Sequence, residues 1–552
     1  MNFNLALFKV DHLSNFVGIF IVFFSLLIIF YSLGFMNQKK RLVQYYSYVI
    51  LTLLASLGAV FSNHLILFTV FWGFLGLLLY LLIGFGERNR TSYTGKKAFI
   101  IIGGTDALMI LGLALVWKLS GSFEMDKVSI ALNSKLAIAA YLCLAAGALA
   151  KAGAMPFHTW VPDMAEDAPV PVTSLLPASL DKLLGIYFLA RITLDMFQMS
   201  ALMNTVLMFL GSFTIMAGVM MALVQHDLKK LLGYHAVSQV GYMILGIGTG
   251  NPVGIAGGLF HMLNNAIYKS CLFLSGGSVE KVAGTTDLNK LGGLVRAMPM
   301  TFLSFLIASL AISGVPPFNG FASKWMIYQG IIETAKSGGW LWIVWLVAAM
   351  FGSALTLASF MKLIHTVFLG QPSQEVKSQG DKIHEAGLPM LIPTVVLAGL
   401  CVVFGVFARE LPLKIFIIPS LKQAVAFFGI WNASLSTVLI VIGILAGCLI
   451  YFLGLAAKSR RTDSFVGGED LKDFPDMRLS GTEFYSTIEE LGILKYIYRL
   501  AERKAFDIYE VGAKIVFGFN QWLRYLHHGV LPTYLAWCLL GMGILFYILL
   551  IR

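Results

Sequence analysis

Apolar stretches of about 20 residues, the length a helix needs to cross a bilayer, recur from one end of the chain to the other, separated by short polar or basic turns. Only a helix or a closed barrel satisfies its backbone inside lipid, and runs of this length without strict alternation are helical. About fourteen spans are predicted, at 16–35, 46–62, 64–85, 98–117, 136–155, 170–191, 201–224, 231–249, 253–275, 299–332, 339–367, 388–408, 434–455 and 530–550. The first run is too long for the apolar core of a signal peptide, and no small-residue cleavage pattern follows it, so it is expected to stay. The fold class is an all-α polytopic membrane protein.

Two spans are irregular. Between Arg296 and Glu333 the only charge is Lys324, and the middle of the stretch reads SGVPPFNGFASK, where Pro316 and Pro317 must interrupt the helix. The other, AAGALAKAGAMPFHTWVPDM (145–164), places Lys151 just before a break at Pro156. A lysine at the bilayer centre costs roughly 2.5–3.5 kcal/mol, so it either escapes to the interface or carries charge. Paired broken helices in corresponding halves point to inverted-repeat transporters with the site at the breaks. The plainer reading is two unrelated proline kinks with interfacial lysines.

Composition agrees and narrows the class. The chain is 58% hydrophobic and 12% charged, against about a quarter charged in soluble domains. A net charge of +11 would suggest nucleic acid in a soluble protein; here it reflects loop bias. The basic clusters at 37–41, 86–97, 225–230 and 456–463 fall on one side when the spans alternate. The positive-inside rule makes that side cytoplasmic and puts both termini outside, in what is expected to be a prokaryotic inner membrane. Five single cysteines, no CxxC pair, no strand–helix GxGxxG and no P-loop leave no cofactor, metal or catalytic redox site expected on this chain. Energy must come from an ion gradient or another subunit.

After Leu455 the pattern changes. A polar stretch leads into 493–528, where Ile493, Tyr496, Ile497, Leu500, Ile508, Val511, Ile515, Phe519 and Trp522 share one helical face and Lys504 is the exception on it. An amphipathic helix lying on the membrane or along partner helices is expected, followed by a final span. The segment 457–528 reads as an assembly element.

Polar groups inside the spans carry the candidate chemistry. His261, Asn265 and Lys269 climb one face at i, i+4 and i+8, with no acid nearby in sequence for Lys269. His235, Ser238, Gln239 and Tyr242 form a second stripe, and Asp106, Asp181 and Lys182 sit within apolar runs. Lys362 and His365, near the end of their span, can snorkel to the interface. The plain reading of such stripes is hydrogen bonding that holds helices together. Buried lysine also suits proton work: desolvation moves its pKa toward neutrality and a nearby carboxylate moves it back, so a movable acid switches it. Sodium would favour clustered carboxylates, which are sparse here.

With these residues in view, the chain resembles the antiporter-like subunits shared by respiratory complex I, membrane-bound hydrogenases and multisubunit cation/proton antiporters. The resemblance covers roughly 45–370, through FWGFLGLLLYLLIGF, AKAGAMPFHTWVPDM with PVPVTSLLPASLDKLLGIYFLAR, HDLKKLLGYHAVSQVGYM, HMLNNAIYKSCLFLSGGSV and GVPPFNGFASK. It implies two inverted five-helix repeats with half-channels meeting on a hydrated polar axis. Lys151 and Lys324 then correspond to the broken-helix lysines of the two halves, His261 and Lys269 to the connecting pair, and the C-terminal segment to a lateral helix with its anchor. Four positions depart. Gly73 stands where members usually have glutamate, Pro177 and Asn265 stand for histidines, and the lysine of the 170–191 span is shifted by one, to Lys182. Lys151 is then either desolvated, neutral and passive, or paired by another acid, Asp106 or Asp181, of which Asp181 is preferred because consecutive elements are usually neighbours.

The implied organisation is N-terminal helices at 1–62, a conducting core at 63–370, further spans at 371–456, the cytoplasmic segment and lateral helix at 457–529, and an anchor at 530–552. The implied function is a proton-translocating subunit of an energy-converting redox complex of hydrogenase or complex I type. Its partners are other membrane subunits, a peripheral redox arm, the lipid bilayer and protons, with sodium as a second candidate ion. The rival readings are a subunit of a multisubunit cation/proton antiporter, a proton channel coupled to inorganic-carbon uptake, and a non-conducting scaffold.

Overall fold

In the computed structural model the described residues are 7–421, 423–426, 433–453 and 485–551. The basic cluster 456–463 and most of the polar stretch before the amphipathic segment lie outside them. Two units are distinguished, 1–495 and 496–552.

The larger unit is a helical bundle. Its first helices are α1 (His12–Phe35), α2 (Leu42–Phe61), α3 (Leu65–Ile83), α4 (Thr91–Ser120) and α5 (Lys135–Ala152). After the short α6 (Trp160–Asp167) come α7 (Val170–Met196) and α8 (Ala201–Leu223). Next are α9 (Leu228–Gly248), α10 (Pro252–Ala283), α11 (Pro299–Ser313) and α12 (Asn319–Glu333), then α13 (Leu341–Leu363), α14 (Leu388–Val406) and α15 (Ala433–Leu453). Side-chain caps start several of them: Asp11, Ser134, Ser200, Asp227 and Asn251 each accept a first-turn backbone N–H. Both predicted breaks are present. α5 ends at Gly153 and α11 at Gly314, each with positive φ (77° and 82°), a conformation that glycine adopts without a Cβ penalty.

Among the described residues, ten helices are long and apolar enough to cross a membrane. Three of the other expected spans fall short for identifiable reasons: α9 and α10 dilute their apolar runs with the polar stripes, and α11 and α12 are the two short halves of one stretch. α15 is apolar over its 21 residues. The outer helices turn apolar side chains outward, with Val70 62% and Ile110 58% exposed, whereas the apolar window of α7 is entirely buried and α9 and α10 are buried along nearly their whole length. Apolar outside and polar inside is the arrangement lipid imposes.

Three of the four basic clusters meet on one face. Lys39 pairs with Glu87 at 2.5 Å, and Arg88 bridges Glu166 (2.8 Å) and Asp227 (3.1 Å). Lys97–Asp163 and Lys229–Glu280 complete a clasp over the ends of α6, α9 and α10. In the smaller unit the amphipathic segment is two helices rather than one. α16 (Gly492–Glu502), which begins before residue 496, and α17 (Ile508–Leu526) flank a turn where Lys504 has φ 57° and pairs with Glu510 at 2.8 Å. Lys504 is off the apolar pattern because it sits in that turn. α18 (Leu531–Ile551) follows.

Candidate proton-conducting site

A helix that stops inside a membrane leaves its last carbonyls without partners, at the negative end of its dipole. At the first break these carbonyls are met by side chains. Trp160 Nε1 donates to the Ala150 carbonyl at 3.1 Å, and Lys182 Nζ, from α7, donates to that of Ala152. A Cβ on Gly153 would lie 3.1 Å from Lys182 Nζ, so the glycine also makes room for the ammonium. The π-turn Ser174–Leu180, which contains Pro177, precedes Lys182 and alters the phase at which following residues leave the helix.

The second break has the same construction. Lys324 Nζ donates to the Ile312 carbonyl at 2.8 Å, and a Cβ on Gly314 would come within 3.0 Å of Lys324 Cδ. The geometric counterpart of Lys324 is therefore Lys182. Lys151, expected in that place, points elsewhere. Its Nζ lies 4.6 Å above the Trp72 ring and donates to the Trp72 carbonyl at 3.4 Å, while Trp72 Nε1 donates to Asp106 Oδ1 at 2.9 Å. The reason is directional: Lys151 leaves α5 one residue before its end, toward α3, and cannot fold back onto its own terminal carbonyls.

Two carboxylates act electrostatically on Lys151, Asp181 more strongly than Asp106. Neither makes an ion pair with it among the described residues. Asp181 also acts electrostatically on Lys182, and its Oδ2 is buried without a hydrogen-bond partner among those residues. From there the charged groups follow one another. Lys182 acts on Lys269, Lys269 and Lys324 act on His235, and Lys324 acts on His261. Hydrogen bonds stitch the same region. Lys269 Nζ donates to the Leu232 carbonyl at 2.8 Å, and His261 contacts Ser323 (2.9 Å), Gln239 (3.1 Å) and Tyr268 (3.2 Å). His235 Nε2 meets Ser359 Oγ at 2.8 Å, and Lys324 Nζ lies 4.7 Å over the Tyr242 ring.

The remaining predicted residues make separate contacts. Asn265 is buried and donates to the Ala178 carbonyl at 3.4 Å, and Ser238 donates to the Ile215 carbonyl at 3.1 Å. Lys362 does not snorkel. It is 1% exposed and caps the end of α8 through the Leu223 and Gln225 carbonyls, both at 2.9 Å. His365 lies in the π-turn Ile364–Leu369, partly exposed. Trp72, Tyr268, Ser323 and Ser359 are participants the sequence did not single out. A signal existed for one of them: Ser353, Thr356, Ser359 and Lys362 recur every third residue along α13.

The family described as NADH:quinone oxidoreductase/Mrp antiporter, TM, matches residues 62–356. A subunit of the Na(+)/H(+) antiporter of Alkalihalophilus pseudofirmus is 30% identical over 524 residues, 88% of this chain and 65% of that one. The NAD(P)H-quinone oxidoreductase chain 5 of Picosynechococcus sp. is 34% identical over 430 residues, 72% of this chain and 64% of its own. The chain thus spans just under two thirds of the length of these curated relatives. In fold it is similar to a chain of the archaeal membrane-bound sulfane sulfur reductase, with TM-score 0.80 at 24% identity, covering 99% of this chain and 89% of that one. A chain of the Mrp complex from Dietzia sp. DQ12-45-1b gives TM-score 0.68 at 22% identity over 75% of this chain and 84% of its own.

Proposed function

The chain belongs to the NADH:quinone oxidoreductase/Mrp antiporter family, and on that premise we propose that it is the proton-translocating, antiporter-like subunit of an energy-converting membrane redox complex of hydrogenase or complex I type. The observation that carries this reading is the succession of buried titratable groups from Asp106 and Lys151 through Asp181, Lys182 and Lys269 to His235, Lys324 and His261, each close enough to feel the next. A scaffold has no use for four buried lysines, each of which is costly to desolvate. Buried donors and acceptors left over along the axis, on Gln239, His235, Asn264 and Asn265, are groups that water satisfies in protein interiors. Proton hopping between neighbouring lysines and histidines through such water is the chemistry this arrangement supports.

In the finer reading, fourteen spans form two inverted five-helix repeats around the breaks, the basic loops face the cytoplasm of a prokaryote, and both termini lie outside. Other membrane subunits and a redox arm are the partners. A second reading, one component of a cation/proton antiporter without a redox arm, is favoured by relatives that are Na(+)/H(+) antiporter subunits and align over 81–88% of this chain. The test is transport by the purified complex in sealed vesicles containing a pH-sensitive dye. Lys269→Met should abolish proton movement while the complex stays assembled. Undiminished movement in that variant would overturn the conducting role, and movement driven by a sodium gradient without any electron donor would favour the second reading.

A further inference from the structure

Asp106 is placed where a carboxylate has no reason to be unless something covers it. It lies fifteen residues from the start of α4 and fourteen from its end, about 21–22 Å from either terminus at 1.5 Å per residue. An aspartate is too short to reach the interface from that depth, and exposing it to lipid is costly. Yet Asp106 is only partly buried, at the edge of an outward face where Gly103, Gly104, Leu108 and Ile110 are exposed. Oδ1 accepts the Trp72 indole N–H, and the cation acting on Asp106 among the described residues is Lys151, which sits over the face of the same indole. On α3, Gly73 is exposed beside Trp72, and a Cβ added to Gly73, Gly103 or Gly104 would meet nothing within 4 Å. Open space therefore surrounds an incompletely partnered acid at mid-membrane.

We infer that this face of α3 and α4 is the docking surface for a transmembrane helix of a neighbouring subunit, which brings a lysine or arginine against Asp106. Charge complementarity selects the occupant: a wholly apolar helix or a lipid chain would cover the groove and leave the carboxylate unpaired. Docking also puts a foreign cation one indole away from Lys151, so the neighbour reaches the first-half lysine through Asp106 and Trp72. That consequence for transport rests on the function proposed above; the docking itself does not.

The test uses the intact complex in native membranes. A photo-crosslinking amino acid replacing Gly103 should join this chain to an apolar segment of another subunit that contains a lysine or arginine. Replacing that basic residue by methionine, or making Asp106→Asn, should remove most of the cross-link. Gly104→Leu should release the partner while leaving this chain inserted, because its own fold has room for the side chain. Cross-links to lipid alone, a partner segment without a basic residue, or normal assembly of Gly104→Leu would each overturn the inference. A cross-link as expected together with normal transport by Lys151→Met would leave the docking standing and refute the conducting role instead.

Discussion

Removing the charge of Asp181 tests the first half of the axis most directly. Asp181→Asn keeps the shape of the side chain and deletes the larger of the two carboxylate fields on Lys151. The pair is not in ion-pair contact, so the separation exceeds 4 Å. That bounds the interaction at about 4 kcal/mol for an effective dielectric of about 20. A coupling of roughly 1.4–4 kcal/mol corresponds to about ten- to a thousandfold in rate if the pair acts in the slow step. Initial rates of dye quenching in vesicles holding equal amounts of assembled complex would measure it. Asp181→Asn and Lys151→Met should each lower the rate to a similar residual level, and the double variant should be little worse than either, as for two members of one unit. Defects that multiply would refute the pairing. So would a silent Asp181→Asn beside a defective Asp106→Asn, which would make Asp106 the working partner.

Lys324→Met should abolish translocation with the chain still inserted: it forfeits the bond to the Ile312 carbonyl but also relieves a buried charge, and such exchanges are often close to neutral in stability. Lys324→Arg should fail too, since a guanidinium stays protonated; wild-type rates in it would show that fixed charge suffices. Gly320→Ala should destabilise the detergent-solubilised protein by about 1–3 kcal/mol or more, because its Cβ would lie 1.8 Å from the Ala311 carbonyl oxygen, whereas Gly73→Ala should leave its melting temperature unchanged. Burial pushes the Asp11 carboxyl up, but the Arg191 guanidinium 2.5 Å away more than offsets this and holds it below the ordinary 3.8. A lowered folded-state value stabilises above the unfolded value and is lost as pH falls through the folded one. The melting-temperature gap between wild type and Asp11→Asn should therefore be full above pH 5 and close below about pH 3.8; a gap independent of pH would contradict this.

The spans were legible because hydropathy is a local property that lipid reads segment by segment. The breaks were legible for a similar reason: proline and glycine act on their own backbone wherever they occur, so Pro156 and Pro317 announced the ends of α5 and α11. The stripe His261, Asn265 and Lys269 could be seen on a single helix, and the resemblance of five ordered motifs was specific enough to predict the family. The phase between helices was not legible. Lys151 and Lys182 are both one short step from the first break in any reasonable packing, and which ammonium seats on its carbonyls depends on the direction each leaves its helix. A π-turn at Ser174–Leu180 changes that direction without altering the hydrophobic pattern.

The sequence by itself determined that this is an all-helical membrane protein, where two of its helices break, and which residue types carry charge among its apolar runs. Only the tertiary structure decided which charges face one another: that Lys182 matches Lys324, that Trp72 stands between Asp106 and Lys151, and that Lys362 caps α8 instead of reaching water. Hydrophobic burial is additive along a segment and needs no knowledge of its neighbours. Electrostatic pairing inside a bilayer turns on a few ångströms between side chains from different helices, and that distance exists only once the helices have packed.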